Sequence, residues 1–141
     1  MILKLKKASI STLQTLKTIA PMLFGIIGLV GLFKTFITPE MLHSLFNGSA
    51  FHDILVGTAT GGVSVGQPFI SYIIGGEFLK EGVSPYGVTA FILSFVTLGV
   101  VQLPLEFSIF GARFTLIRNI LSIIFAILIS WITTYTLGFF Q

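Results

Sequence analysis

Ser64, Gln67 and Ser71 place two hydroxyls and an amide inside a stretch that carries no charge from Ile54 to Gly76. The chemistry they offer is hydrogen bonding to a polar guest rather than bond-making. They belong to the run Gly61-Gly62-Val63-Ser64-Val65-Gly66-Gln67-Pro68, which interrupts an apolar segment of membrane-spanning length. Paired glycines, a third glycine and then a proline do not readily continue one helix. Pro68 suits the first position of a new helix, with Ser64 or Gln67 as its cap. Such a start points unpaired N–H groups and a partial positive charge at its surroundings, a setting that binds anions or polar oxygens. The candidate substrate-binding set is therefore Gly61, Gly62, Ser64, Gly66, Gln67, Pro68 and Ser71, with Thr58 and Thr60 contributing from the preceding half-helix. The plainer alternative is a glycine-rich packing kink satisfied by neighbouring helices.

A second group of residues bears charge or amides near apolar segments. Glu77 follows Gly75-Gly76 and is a candidate proton carrier, since an acid close to an apolar segment is a functional candidate by default. Lys80 and Glu81 read as solvated. Gln102 and Glu106 close one apolar run, and Arg118 and Asn119 open the next. Arg118 has two readings: an ion pair with Glu106 or an anchor to lipid headgroups, or a cation facing an anionic substrate. Glu77, Gln102, Glu106, Arg118 and Asn119 are thus the candidates for proton coupling or ion pairing. His43 and His52 read as solvated, and Asp53 as a cap for the first half-helix. No paired-acid site, phosphate loop or metal-ligand cluster stands out, so neither an enzyme nor a cofactor is expected. The absence of cysteine removes disulfide, thiolate and thiol redox chemistry.

The elements that must position these groups are set by composition. Hydrophobic residues make up 54% of the 141-residue chain and charged residues 9%, against about 25% charged in a soluble domain. The mean hydropathy of +1.01 agrees. A net charge of +3 does not indicate nucleic acid, because Lys4, Lys6, Lys7 and Lys17 precede the first apolar run. That arrangement predicts a cytoplasmic N-terminus of a multi-pass cell-membrane protein.

The predicted class is all-α and polytopic, with three to four transmembrane helices and a broken or re-entrant hairpin in one membrane domain. Residues 1–17 read as an amphipathic lead-in and 18–37 as the first span, where Gly25, Gly28 and Gly31 make a ridge for close helix approach. Thr38-Pro39-Glu40 starts a short helix over 39–46. Residues 53–80 hold two half-helices around the break, the first ending near Thr60. A span over 85–103 is capped by Ser84 and stopped by Pro104, and the last span covers 114–138. The 53–80 segment either crosses fully or folds back. Folding back fits the positive-inside pattern better, because it places Arg113 and Arg118 on the side of the N-terminal lysines.

The motifs Gly61 to Pro68 and Ser71-Tyr72-Ile73-Ile74-Gly75-Gly76-Glu77 resemble those of the predicted-permease family that includes the organoarsenical-efflux permeases. Val88 to Phe91, Val100 to Pro104, Gly111 to Phe114 and Arg118-Asn119 are similar to its half-length members. The likeness spans about residues 53–125. It implies a transporter fold with a site at Gly61–Pro68. The arsenical members carry cysteines where this chain has Val63 and Val65 beside Ser64, so the resemblance does not carry their substrate over.

So few spans do not enclose a pathway alone, and a homodimer is expected, parallel or antiparallel. The expected function is a half-size permease for a small polar or anionic solute in the lipid bilayer. A non-transporting scaffold or partner subunit and a small channel are the alternatives.

Overall fold

A computed structural model describes residues 2–64 and 68–139, and its regular elements are all helical. In chain order they are α1 (Ile2–Phe36), α2 (Pro39–Leu45), α3 (Ala50–Val63), α4 (Pro68–Lys80), α5 (Pro85–Thr97), a 3-10 turn (Val100–Gln102), α6 (Leu103–Phe110) and α7 (Ala112–Phe139). They form two compact units, Met1–Ile37 and Thr38–Gln141.

The first unit is α1. The residues read as an amphipathic lead-in and those read as the first span lie on one continuous helix. It has 35 residues, with Pro21 inside. A side chain bridges residues 17–18, since Thr18 Oγ1 donates to the Gln14 carbonyl at 3.1 Å. Lysine and leucine are good helix formers, and nothing at 17–18 interrupts the ladder.

The second unit begins as its local chemistry dictates. Thr38 caps α2 by accepting from the Met41 N–H at 3.4 Å, Pro39 takes the first helical position and Glu40 lies in the first turn. The α4–α5 connection is equally legible. The Gly82 N–H reaches the Leu79 carbonyl and the Val83 N–H that of Phe78, at 3.2 and 3.0 Å. Gly82 itself has φ +85°. This is a Schellman stop, which leaves room for only a short turn before Ser84 caps α5. So short a connection makes α4 and α5 antiparallel neighbours.

Helices α3 and α5 run parallel at backbone contact. A Cβ at Gly57 would stand 2.2 Å from the Gly87 carbonyl oxygen, one at Gly61 2.3 Å from that of Phe91, and one at Gly62 3.1 Å from Leu98 Cδ1. The partners climb both helices together, which fixes the parallel sense. Since α4 runs the other way between them in sequence, the chain reverses after α3. At about 1.5 Å per residue, α3, α4 and α5 are each only about 20 Å long.

Two expectations are corrected here. Gly61 and Gly62 do not break the helix; α3 continues through them to Val63. Glycine's poor helix propensity, a deficit of about 1 kcal/mol, is offset by the close approach of α5 that only glycine permits. The span expected over 85–103 is also not one helix. It stops at Thr97, Gly99 adopts φ +32°, and Pro104 lies in the first turn of a new helix, α6.

Helix α7 returns along α5, with Arg118 in its second turn bonded to Thr97 at the far end of α5. Its buried residues are Thr115, Ala126, Ser130 and Thr134, a narrow small-residue stripe. Its 28 residues make it the one helix among the described residues that is long and apolar enough to cross a membrane. The core of the unit is a chain of rings, Phe46 to Phe78 to Phe91 to Phe95, with centroids 5.9, 5.0 and 5.7 Å apart.

Candidate functional site

The C-terminal ends of α3 and α5 stand at the same level. Helix α3 ends at Val63, and a second interruption runs from Leu98 through the 3-10 turn to Leu103. Gly62 packs on Leu98, so the end of α3 abuts the end of α5. Between α3, the second interruption and α7 lies an open cavity of about 470 Å³. Leu55, Leu98, Leu103 and Phe107 supply apolar wall, while Thr58, Thr115 and Asn119 are the polar side chains that reach it.

The residues expected to bind a substrate divide three ways. Gly61 and Gly62 are buried and serve the α3–α5 contact, with Gly62 also reaching the cavity wall. Ser64 does not cap α4. Its N–H bonds the Thr60 and Gly61 carbonyls, and its hydroxyl donates to the Thr60 carbonyl at 2.7 Å, so it closes α3 instead. A serine just past a helix end finds unpaired carbonyls nearer than the next helix's N–H groups. Pro68 opens α4 as expected. Ser71 is fully buried and donates to the Pro68 carbonyl at 2.7 Å. Gly66 and Gln67 lie outside the described residues. Thr60 spends its hydroxyl on the carbonyls of Val56 and Gly57, at 2.7 and 3.2 Å.

The charged candidates sit in two places. Glu77 pairs with Lys80 at 3.0 Å near the far end of α4, away from the cavity. Glu106, Arg118 and Asn119 come together beside it. Arg118 Nη1 donates to Glu106 Oε1, and Nη2 donates to the Thr97 carbonyl at 2.5 Å. Asn119 Nδ2 donates to the Thr115 carbonyl at 2.8 Å and approaches Glu106 Oε2 at 3.4 Å. The Thr97 carbonyl is one of those left unpaired where α5 ends, and a guanidinium there also meets the negative end of the helix dipole. Arg118 therefore takes the ion-pair reading. Gln102 stands against Gly99, its side-chain oxygen 3.2 Å from where a Cβ would be.

No family model, curated protein or solved structure matches this chain.

Sequence reasoning undervalued Asp53 and missed Gly57. Asp53 is fully buried and does more than start α3. Its Oδ1 accepts from the Asn47 N–H at 3.0 Å, and its Oδ2 accepts from Ser84 Oγ at 2.5 Å. His52 Nδ1 lies 3.5 Å away. One carboxylate thus joins the N-terminal ends of α3 and α5, where dipoles favour negative charge. The signal was available, because Asp53 is the lone acid between Glu40 and Glu77. Gly57 with Gly61 also makes the four-residue glycine spacing by which helices reach backbone contact. Among the described residues no cluster of three or more histidine or acidic side chains could hold a metal.

Proposed function

We propose that the chain is a half-size membrane permease that works as a homodimer and moves a small uncharged solute bearing a hydrogen-bonding group. The observation that carries this reading is the meeting of the end of α3 and the interruption after α5 around one cavity. Irregular backbone at membrane depth is tolerated where it lines a cavity, and discontinuous helices are where transporters commonly bind their solutes. An uncharged solute suits the cavity better than an anion, since Arg118 is already committed to Glu106 and to Thr97. The motif resemblance over residues 53–125 points to transport as well.

In this reading α1 crosses from a cytoplasmic N-terminus and α3–α4 form a re-entrant hairpin that enters and leaves on the outer side. The line from α5 to α6 then crosses inward as one broken span, and α7 crosses outward. Asn47 and Lys80 lie at one end of the second unit, near Asp53 and Phe78, while Gly111 follows α6 beyond the other. This puts Arg113 with the N-terminal lysines, as the positive-inside rule favours. Three crossings and a hairpin enclose no pathway alone, so a second copy completes it.

Reconstitution in liposomes provides the test. Vesicles carrying the protein should equilibrate with glycerol or urea faster than empty vesicles, with saturation. Thr58→Val, which removes a cavity-wall hydroxyl with no protein partner among the described residues, should slow that flux while thermal melting stays unchanged. Linear flux would make the protein a channel. A scaffold, favoured by the full use of Gly57 and Gly61 in packing, would show no flux with or without the substitution.

A further inference from the structure

Helix α6 is lightly anchored in the second unit. It buries no side chain among the described residues. It is bounded by two glycines with left-handed φ, Gly99 at +32° and Gly111 at +81°. Such positions are swivel points, because glycine alone moves between left- and right-handed backbone without steric penalty. Leu103 and Phe107 of α6 nevertheless form part of the cavity wall. What holds α6 in place is polar: Glu106 is gripped by Arg118 of α7, whose other nitrogen holds the end of α5, and Asn119 stands beside the same carboxylate.

We infer that α6 is a gate over the cavity, hinged at Gly99 and Gly111 and latched by the Glu106–Arg118 pair. The inference rests on the permease reading and adds its regulation. With the latch closed, Leu103 and Phe107 wall one side of the cavity and Thr58 on the opposite wall is buried. With it open, α6 swings away while α3, α5 and α7 keep their packing. The latch is suited to release. The glutamate side chain is 12% exposed and the arginine 33%, so the pair is not sealed inside the fold. Arg118 Nε is buried without a hydrogen-bond partner among the described residues, so the closed state is not fully satisfied. An unmet donor of this kind narrows the gap between two arrangements.

The chain has no cysteine, so one thiol reports alone. Thr58→Cys places it on the cavity wall at a buried position. Labelling by a small charged methanethiosulfonate should be slow in Thr58→Cys and about tenfold faster when Glu106→Gln or Arg118→Gln is added, as a charge-assisted hydrogen bond is lost. A Ser130→Cys thiol, fully buried in α7 away from α6, controls for global loosening and should stay slow to label in all backgrounds. Unchanged Thr58→Cys labelling in both latch variants, with helix content preserved, would overturn the gate. Labelling that rises equally at Ser130→Cys would overturn it too, since the latch would then be holding the whole fold. Labelling needs no transport, so the gate and the permease reading fail separately.

Discussion

The Ser84 hydroxyl donates to the buried Asp53 carboxylate at 2.5 Å across 31 residues of sequence, while accepting from the Gly87 N–H at 3.4 Å. The cap of α5 is therefore itself held by α3. Asp53→Asn should destabilise the fold by about 1.5–3 kcal/mol, the range for a hydrogen bond to a charged group. Ser84→Ala should lose about 1 kcal/mol as a helix cap. Thermal melts of the two single variants and the double variant, compared as a cycle, should give a combined loss smaller than the sum.

Gly57→Ala places a methyl 2.2 Å from the Gly87 carbonyl oxygen, and backbone cannot rotate away as a side chain can. A loss of about 1–3 kcal/mol is expected, as for other overpacked contacts. Gly76→Ala is the matched control, because a Cβ there meets nothing within 4 Å. It should be neutral or slightly stabilising through helix propensity. Melting both variants in one detergent decides whether contact or propensity governs these glycines.

Glu40 lies outside the apolar segments, in the first turn of α2. Its own backbone hydrogen bond and the Thr38 hydroxyl, with His43 nearby, hold its carboxyl below the ordinary 4.5. A depressed folded-state value means that its contribution to α2 is present above the unfolded-state value and is lost as pH falls through the folded one. An NMR titration of Glu40 should therefore give a midpoint below 4.5, and Thr38→Ala should move it upward. A midpoint that ignores Thr38 would remove the hydroxyl as a cause.

Membrane topology is open to accessibility labelling of single cysteines at Asn47, Lys80 and Gly111. The re-entrant arrangement places the first two outside and the third inside. Asn47 and Gly111 labelling together, with Lys80 opposite, would mean that α3 and α4 cross fully and would remove the hairpin from the proposal.

What could be read from the chain was what neighbours in sequence decide. Thr38-Pro39 and Ser84-Pro85 start helices because cap and proline lie next to the N–H groups they serve. Contacts with distant residues were not visible in the same way. Gly61-Gly62 resembles a break until α5 lies against it, and only then does a missing Cβ favour the helix. The stop after Thr97 comes well before Pro104, the residue that seemed to demand it, because one glycine among apolar neighbours gives little local sign of a turn. Of the candidate site, the proximity of Glu106 and Arg118 was foreseeable as one of two options. The sharing of Asp53 between two helices was not, since it needs the fold to bring Ser84 near.

Contact between the α3 and α5 backbones also limits how this molecule can change shape. Sliding one helix along the other by a turn would leave only one of the Gly87 and Phe91 carbonyls against a glycine, since Gly57 and Gly61 are themselves one turn apart. The pair is thus a stiff strut that transmits force without shear. Any working stroke has to be rotational, taken up where the backbone can pivot at the ends of that strut.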